Sequence, residues 1–311
     1  MALSFSGLSA YVKEDSRAPL FAALYNKAGA LQREANIYTG IKSSVKLPYI
    51  SDTVIFQTGG TCTAINASGD TTISQKQITV GHVIVDKDYC PIALEPYFTQ
   101  EWLKEGALYT SEADLPAFIS DMMTKMVSEN VRIYDWFGTT AGNKYDGIGT
   151  KIESAGSYQT VTAQASVTTS NIIGIIDSMY QTVPGRIQMA DNKLRLFMGL
   201  EDYRIAVTAY KNANYFNNGD VQSAANNFEF IAPGTNVVVT ADPGLNATYN
   251  GTHKMYLLDP KNIWLGVDGS GDDEVVDMWY EKKDRKIYAT TAFKRGWQVI
   301  NSNEVVRYSN F

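Results

Sequence analysis

The sequence predicts an α+β fold, and three observations carry that expectation. Helical and strand periodicities are interleaved without a strand–helix–strand rhythm, one stretch near the middle holds a long helical stripe, and the last third reads as successive strands. With 311 residues, 44% of them hydrophobic, the chain can bury a sizeable core. Its 27 Lys plus Arg stand against 33 Asp plus Glu, a formal charge of −6 without long runs of either sign. The short basic clusters Lys282-Lys283 and Arg285-Lys286 are interrupted by Asp284 and preceded by Glu281. No basic stripe is present to neutralise a phosphate backbone and release its counterions, so sequence-specific nucleic-acid binding is not expected. No run approaches the roughly 18 apolar residues of a membrane helix. The start, MALSFSGLSAYVKEDS, lacks the basic and apolar parts of an export signal, so neither a membrane nor Sec export is expected. Cys62 and Cys90 could pair only once, and free thiols in a reducing cytosol are expected.

Residues 1–50 open with a polar stretch, then show helical spacing from Leu20 to about Tyr38 through Leu24 and Leu31. Such a helix is marginal alone and needs something to dock on. From Ser51 to Pro91 the pattern turns to β: Thr53–Gln57, a break at Gly59-Gly60, Thr61–Asn66, and a turn signal at Gly69-Asp70. Next comes TTISQKQITV, polar on both faces, and then GHVIVDK, with Val83 and Val85 on one side and Ile84 on the other. Read as a hairpin, this pair has little core of its own. Two-stranded ribbons are barely stable in water, so the expected cover is another subunit.

The strongest helical signal is DLPAFISDMMTKMVSENVRIYDWFG, with Leu115, Phe118, Ile119, Met122, Met126 and Val127 at three/four spacing. Asp114 suits the N-cap, Pro116 is tolerated in the first turn, and Gly138 ends the helix after Phe137. At about 1.5 Å per residue it would be roughly 35 Å long. Residues 138–170 are rich in Gly, Ser and Thr and read as a connector. A second helix follows, capped by Ser170 or Asn171, with Ile172, Ile173, Ile176, Met179 and Tyr180 on its apolar face and Pro184-Gly185 as its stop. Leu194–Met198 reads as a buried strand, Glu201 to about Asn212 as a helix, and NVVVTAD as a strand closed by Pro243-Gly244. Strands are then expected at Lys254–Leu258, Asn262–Val267, Val275–Glu281, Lys286–Lys294 and Gly296–Ile300, with a hairpin turn at Lys282–Arg285.

Catalytic vocabulary is sparse: GxSxG, HExxH, GxGxxG and a Walker-type loop are all missing. Cys62, His82 and Asp86 are residue types that could form nucleophile, base and orienter, but ordinary strand side chains are the preferred reading. The stretch Asp268–Glu274 offers oxygen ligands without the glycine and terminal glutamate of a calcium loop, and reads as a solvated turn. With two histidines, His82 and His253, zinc has no ligand set. No enzyme activity, cofactor or metal is therefore expected. The 19 Tyr and 5 Trp fit subunit contacts better than a sugar-binding face.

Taken in order, these segments resemble the major capsid proteins of tailed bacteriophages, the Hong Kong 97 fold, in particular those of phages infecting Bacteroidetes-like bacteria. The resemblance rests on SGDTTISQKQITVGHVIVDKDYCPIALEPYFTQEWL with Trp102, on the helix ending in Trp136 and Gly138, on NIIGIIDSMYQTVPGRIQMADNKLRLFMGLEDYRIAV, and on the C-terminal run from TADPGL through MYLLDPKNIWLGVDGSGDDEVVDMWYEKKDRKIYATTAFKRGWQV. It implies an N-terminal arm at 1–50, an extended β-hairpin loop at 51–91, a peripheral domain with a spine helix at 92–150, an axial domain at 151–250, and C-terminal strands at 251–311 completing both. It further implies hexamers and pentamers of this chain in an icosahedral head shell around double-stranded DNA, assembled in the host bacterial cytoplasm. Portal, scaffold and decoration proteins are the implied partners, with packaged DNA held without sequence specificity. A cleaved helical scaffolding segment is not expected ahead of residue 51. Ile73, Lys76, Ile78, Val80, Val83 and Val85 are the expected inter-subunit contacts, and Leu115, Phe118, Ile119, Met122 and Met126 the expected spine core. Lys76 lies where some relatives donate an isopeptide link, although no acceptor Asn or activating Glu can be assigned. The alternatives are an encapsulin-like compartment shell and, behind it, a carbohydrate-binding or cysteine-hydrolase domain.

Overall fold

The computed structural model describes residues 29–56, 69–90, 114–141, 144–188, 194–213, 228–269 and 276–310. Leu20, Leu24, Cys62, Trp102 and the expected strand 61–66 lie outside them. In chain order the elements are β1 (Asn36–Tyr38), β2 (Ser44–Val54), β3 (Gly69–Thr79), β4 (Gly81–Tyr89), α1 (Asp114–Phe137), α2 (Ile148–Ala155), β5 (Gln159–Thr160), α3 (Ile172–Thr182), β6 (Leu194–Met198), α4 (Leu200–Asn212), β7 (Glu229–Ile231), β8 (Val237–Ala241), β9 (Lys254–Leu258), β10 (Ile263–Val267), β11 (Val276–Glu281), β12 (Lys286–Val299) and β13 (Val306–Ser309).

These elements build two cores. In the first, a five-stranded sheet runs β1-β10-β12-β11, with β4 also paired to β12. Alternate residues of β12, Ile287, Ala289, Phe293, Trp297 and Val299, point from it into the core beneath α1. The matching stripe on α1 is Ile119, Met123, Val127 and Val131, one residue per turn on a single face. In the second core a six-stranded sheet, ordered β5-β13-β9-β6-β8-β7, packs against Ile172, Ile176 and Met179 of α3 and Tyr203, Ala206 and Tyr210 of α4. Its β6 and β8 are parallel, joined by a strand–helix–strand crossover, and β5 and β13 are parallel at the edge, while the remaining pairs are antiparallel. Trp136 ties the first core to strands of the six-stranded sheet, stacking on Tyr256 of β9 at 5.2 Å and tilting against Phe197 of β6 at 5.6 Å.

Several sequence expectations are corrected here. Met126 is 38% exposed and Met122 half-buried, because α1 also carries Met123 and Val127, and this second apolar row is the one that faces the sheet. The side chains of Leu115 and Phe118 lie outside the described residues. The helix expected up to Tyr38 stops at Glu34, and β1 instead pairs in parallel with β10. β12 continues unbroken through Gly296, where the sequence suggested two strands. The ribbon is formed by β2 with β3, eleven register pairs from Ser44↔Thr79 to Val54↔Gly69, so Gly69-Asp70 pairs rather than turns. β4, expected as the second ribbon strand, lies along β12 instead. The reason is in the patterns: Val83 and Val85 alternate as a half-buried strand requires, whereas β3 is polar on both faces and suits a two-sided ribbon.

A buried ionic knot fixes the end of α1. The Arg295 guanidinium donates to both carboxylate oxygens of Asp135, at 2.7 and 2.6 Å. Trp297 Nε1 and the Tyr145 hydroxyl donate to the same carboxylate, each at 2.7 Å, and Arg295 also donates to the Gln32 side-chain Oε1 at 3.1 Å. Burial, and then the neighbouring carboxylate, push the Tyr145 hydroxyl well above its ordinary range, so it stays a donor. Replacing Asp135 by Ala strands a buried guanidinium, and the expected loss is about 3–5 kcal/mol in denaturant unfolding. A loss below about 1 kcal/mol would show that the knot carries little.

Asp242 is a second buried carboxyl, accepting from the Gly244 amide at 2.9 Å and the Leu31 amide at 3.3 Å. Burial raises its pKa above the ordinary 3.8, with the Gly244 amide, Trp136 and the Leu31 amide pulling the other way. Because the folded form holds its proton to higher pH than the unfolded form, ionisation removes stability as pH rises from about 4. Asp242→Asn drops the charge and keeps one of the two acceptor oxygens, setting an NH2 against the other amide. Its stability relative to the native chain is expected to be constant below about pH 4 and to improve as pH rises, read from unfolding across a pH series. A pH-independent difference would contradict this.

Candidate assembly surfaces

The ribbon is held at its root and bare beyond it. Ile41, Leu47 and Ile78 form a small core with Val45, Val80, Trp264 and Ile300. The floor under it is a cross-strand pair of glycines, Gly266 on β10 and Gly296 on β12. A Cβ at 296 would sit 2.1 Å from the Thr79 carbonyl oxygen, and one at 266 would sit 2.6 Å from the Ile78 Cγ2. Side-chain-free backbone is therefore what lets the root lie flat on the face of the sheet away from α1. Gln298 Nε2 donates to the Gln77 carbonyl at 2.7 Å and the Val80 amide to the Ser43 carbonyl at 3.0 Å. Further out, Ile73 is 68% exposed, and just past β2 Phe56 is 96% exposed.

The expected inter-subunit residues therefore separate. Ile73 and, in part, Lys76 are open to a neighbour. Ile78 is fully buried within its own chain, and Val80 packs beside it. Val83 and Val85 are half-buried against the core under α1. These four hold the root and β4 in place, which corrects their reading as surface residues of the loop. Two grooves flank the body. One of about 340 Å³ lies between β4 and α1, lined by Val83, Val85, Met123, Met126, Tyr134 and Phe293 among others. The other, about 540 Å³, lies between residues 160–164 and α3, and its hydroxyl, amide and apolar lining holds no ionisable group.

A surface the sequence did not single out lies at the far end of β12. Trp279, 46% exposed, stacks on Tyr288 with ring centroids 5.7 Å apart, next to the Lys282–Arg285 turn. The only sequence signal was the run of basic residues, which reads equally as a solvated hairpin. Tyr288 donates to Asp284 at 3.0 Å and Lys286 to Asp88 at 2.5 Å. Facing each other, Lys286 and Asp88 shift oppositely, the lysine up and the carboxyl down.

Of the residues the sequence offered for catalysis, Cys62 lies outside the described residues, and the described pair makes no catalytic contact. His82 and Asp86 lie on one strand face about 13 Å apart, too far for a base–orienter contact, and Asp86 accepts from the Thr290 hydroxyl. Asp268 binds Lys294 at 2.7 Å. Among the described residues no cluster of His, Cys, Asp and Glu could hold a metal, and no helix is long and apolar enough to cross a membrane.

No family model matches the chain, and no curated protein does. Solved structures share its fold along nearly its whole length. The capsid of Myoviridae phage XM1 is similar at 14% identity and a TM-score of 0.56, covering 91% of each chain. A capsid of an empty GTA particle aligns at 12% identity and a TM-score of 0.56, covering 91% of this chain and 90% of the other. A chain of Mycobacterium phage Bobi aligns at 12% identity and a TM-score of 0.55, covering 100% and 99%. The fold is thus one found in phage capsid shells.

The glycine floor can be tested directly. Gly296→Ala is expected to cost about 1–3 kcal/mol by overpacking and to speed amide exchange at Val80, since the added methyl displaces the root. Unchanged exchange at Val80 would show that the root is held otherwise.

Proposed function

We propose that this chain is the major capsid protein of a tailed phage, assembling into hexamers and pentamers of an icosahedral head shell of the Hong Kong 97 type. One observation carries the reading: the whole-length likeness to phage capsid chains accompanies a ribbon that leaves its distal apolar side chains uncovered in the single chain. A lone two-stranded ribbon does not keep its strands together well in water, so a covering neighbour is the physical complement. In this reading α1 is the spine of the peripheral domain, the six-stranded sheet with α3 and α4 is the axial domain, and residues ahead of β1 form an arm. Many modest contacts then add across a closed shell, giving stability that no single interface has. The chain acts as structure and carries out no chemistry of its own. Portal and scaffold proteins are its partners, and packaged DNA is enclosed without sequence readout.

Expressed alone or with its scaffold, the chain is expected to yield closed shells by electron microscopy and sedimentation. Persistent monomer at high concentration in both cases would contradict the reading. Lys76→Glu, on the partly open side of β3, is expected to lower shell yield while leaving unfolding within about 0.5 kcal/mol of the native chain. Normal shells from that variant would remove Lys76 from the contact.

A further inference from the structure

We propose, independently of shell assembly, that the groove between residues 160–164 and α3 binds an extended, uncharged peptide segment of a different protein, added as a strand to the open edge of the six-stranded sheet. β5 is that edge, and among the described residues only β13 pairs with it. The Gln159 amide donates to the Val305 carbonyl at 2.8 Å and the Val161 amide to the Arg307 carbonyl at 3.3 Å. Alternation along an extended chain therefore turns the backbone of Thr160, and of Thr162 after it, to the side away from β13. An open edge of this kind is a template for one more strand. The opposite wall is α3, where Asn171, Gly174, Ser178 and Gln181 follow the groove at three- and four-residue spacing with the buried Ile175 between them. Its 11 residues span about 16 Å, the length of about five extended residues. A slot between an edge strand and a helix gives a peptide main-chain hydrogen bonds from the edge and side-chain contacts from the helix.

Gly174 points to an occupant from outside the chain. A glycine inside a helix is destabilising relative to alanine, and here no turn, cap or close approach calls for it: a Cβ at 174 would meet nothing within 4 Å. The missing side chain leaves room for another backbone. Charge then sets the kind of peptide. The groove offers hydroxyls and amides, and no ionisable group lines it. Among the described residues the side chains of Thr160, Thr162, Gln164 and Gln181 make no hydrogen bond. Asp177, the one charged residue of α3, is not in the lining. A charged side chain entering the slot would lose water without gaining a partner, whereas hydroxyl and amide side chains find both donors and acceptors. A second copy continuing the sheet would have to offer its other open edge, β7. That strand carries Glu229, bound to Arg33 and Arg195, and this ionic cluster has no counterpart in the slot.

The test selects binders from a display library of random peptides, about seven residues long, on the native full-length chain, with Gly174→Leu as the blocked control. The added side chain enters open space and raises helix propensity, so the variant is expected to unfold at no lower temperature than the native chain. Recovered peptides are expected to share a run of about five uncharged residues and to bind the native chain about tenfold or more tightly than Gly174→Leu. Because an added strand turns every second amide to the edge, N-methylation of alternate residues is expected to weaken a recovered peptide about tenfold or more in one register and little in the other. Failure to enrich any peptide, equal binding to Gly174→Leu, or equal sensitivity to methylation in both registers would overturn the proposal. So would a neutral oligosaccharide such as maltotriose binding in the slot, blocked by Gly174→Leu, where no peptide is recovered.

Discussion

Asp135 and Arg295 set the geometry on which the remaining surfaces depend. The pair is buried, so its charges keep their stabilising partner only while α1 and β12 hold one separation and one register. Trp297 and Tyr145 add donors to the same carboxylate, and Gln32 brings the N-terminal helical turn to Arg295. The next residue along the strand is Gly296, on the opposite face. Fixing the side chain of Arg295 toward α1 therefore presents a bare backbone to the ribbon root on the other side. Helix, sheet and ribbon are thus aligned by two adjacent residues whose requirements are opposite: one charge fully enclosed, one position with no side chain at all.

The outward parts of the molecule follow from this alignment. The root of the ribbon belongs to the body through Ile41, Leu47 and Ile78, whereas on the outer part of β3 the side chains of Thr71 to Gln75 are exposed. A sheet face with a long helix on one side and little more than the ribbon root on the other leaves Trp279 and Ile84 open to solvent. Exposed aromatic and aliphatic groups of this kind, arranged on separate ends of one chain, are surfaces that gain by being covered. Charged contacts such as Lys286 with Asp88 are solvated and contribute little to folding, so their value lies in orientation.

Much of the architecture was legible in the sequence because periodicity reports burial. The bounds of α1 and the cores of α3, β6 and β9 follow from spacing that the structure keeps. The failures have identifiable causes. α1 carries two apolar rows, and composition cannot say which faces inward when Met122 and Met126 compete with Met123 and Val127. Strand partners are decided by long-range register, so the adjacency of β3 and β4 in sequence suggested a hairpin that the fold does not make. Ile78 looked like a surface residue because its neighbours are polar. Only the glycine pair far along the chain reveals a floor for it to pack on. The Trp279–Tyr288 stack likewise needed the β11–β12 register to become visible.

Amide hydrogen exchange across β2 and β3, compared between the free chain and assembled particles, addresses the central claim most directly. In the free chain the pairs nearest the root, such as Val45↔Ile78, are expected to be protected, while those from Ile50↔Ile73 outward exchange quickly and become protected only in particles. Full protection of the outer pairs in a monomeric chain would show that the ribbon is complete without neighbours, and would contradict the assignment of its distal half to assembly.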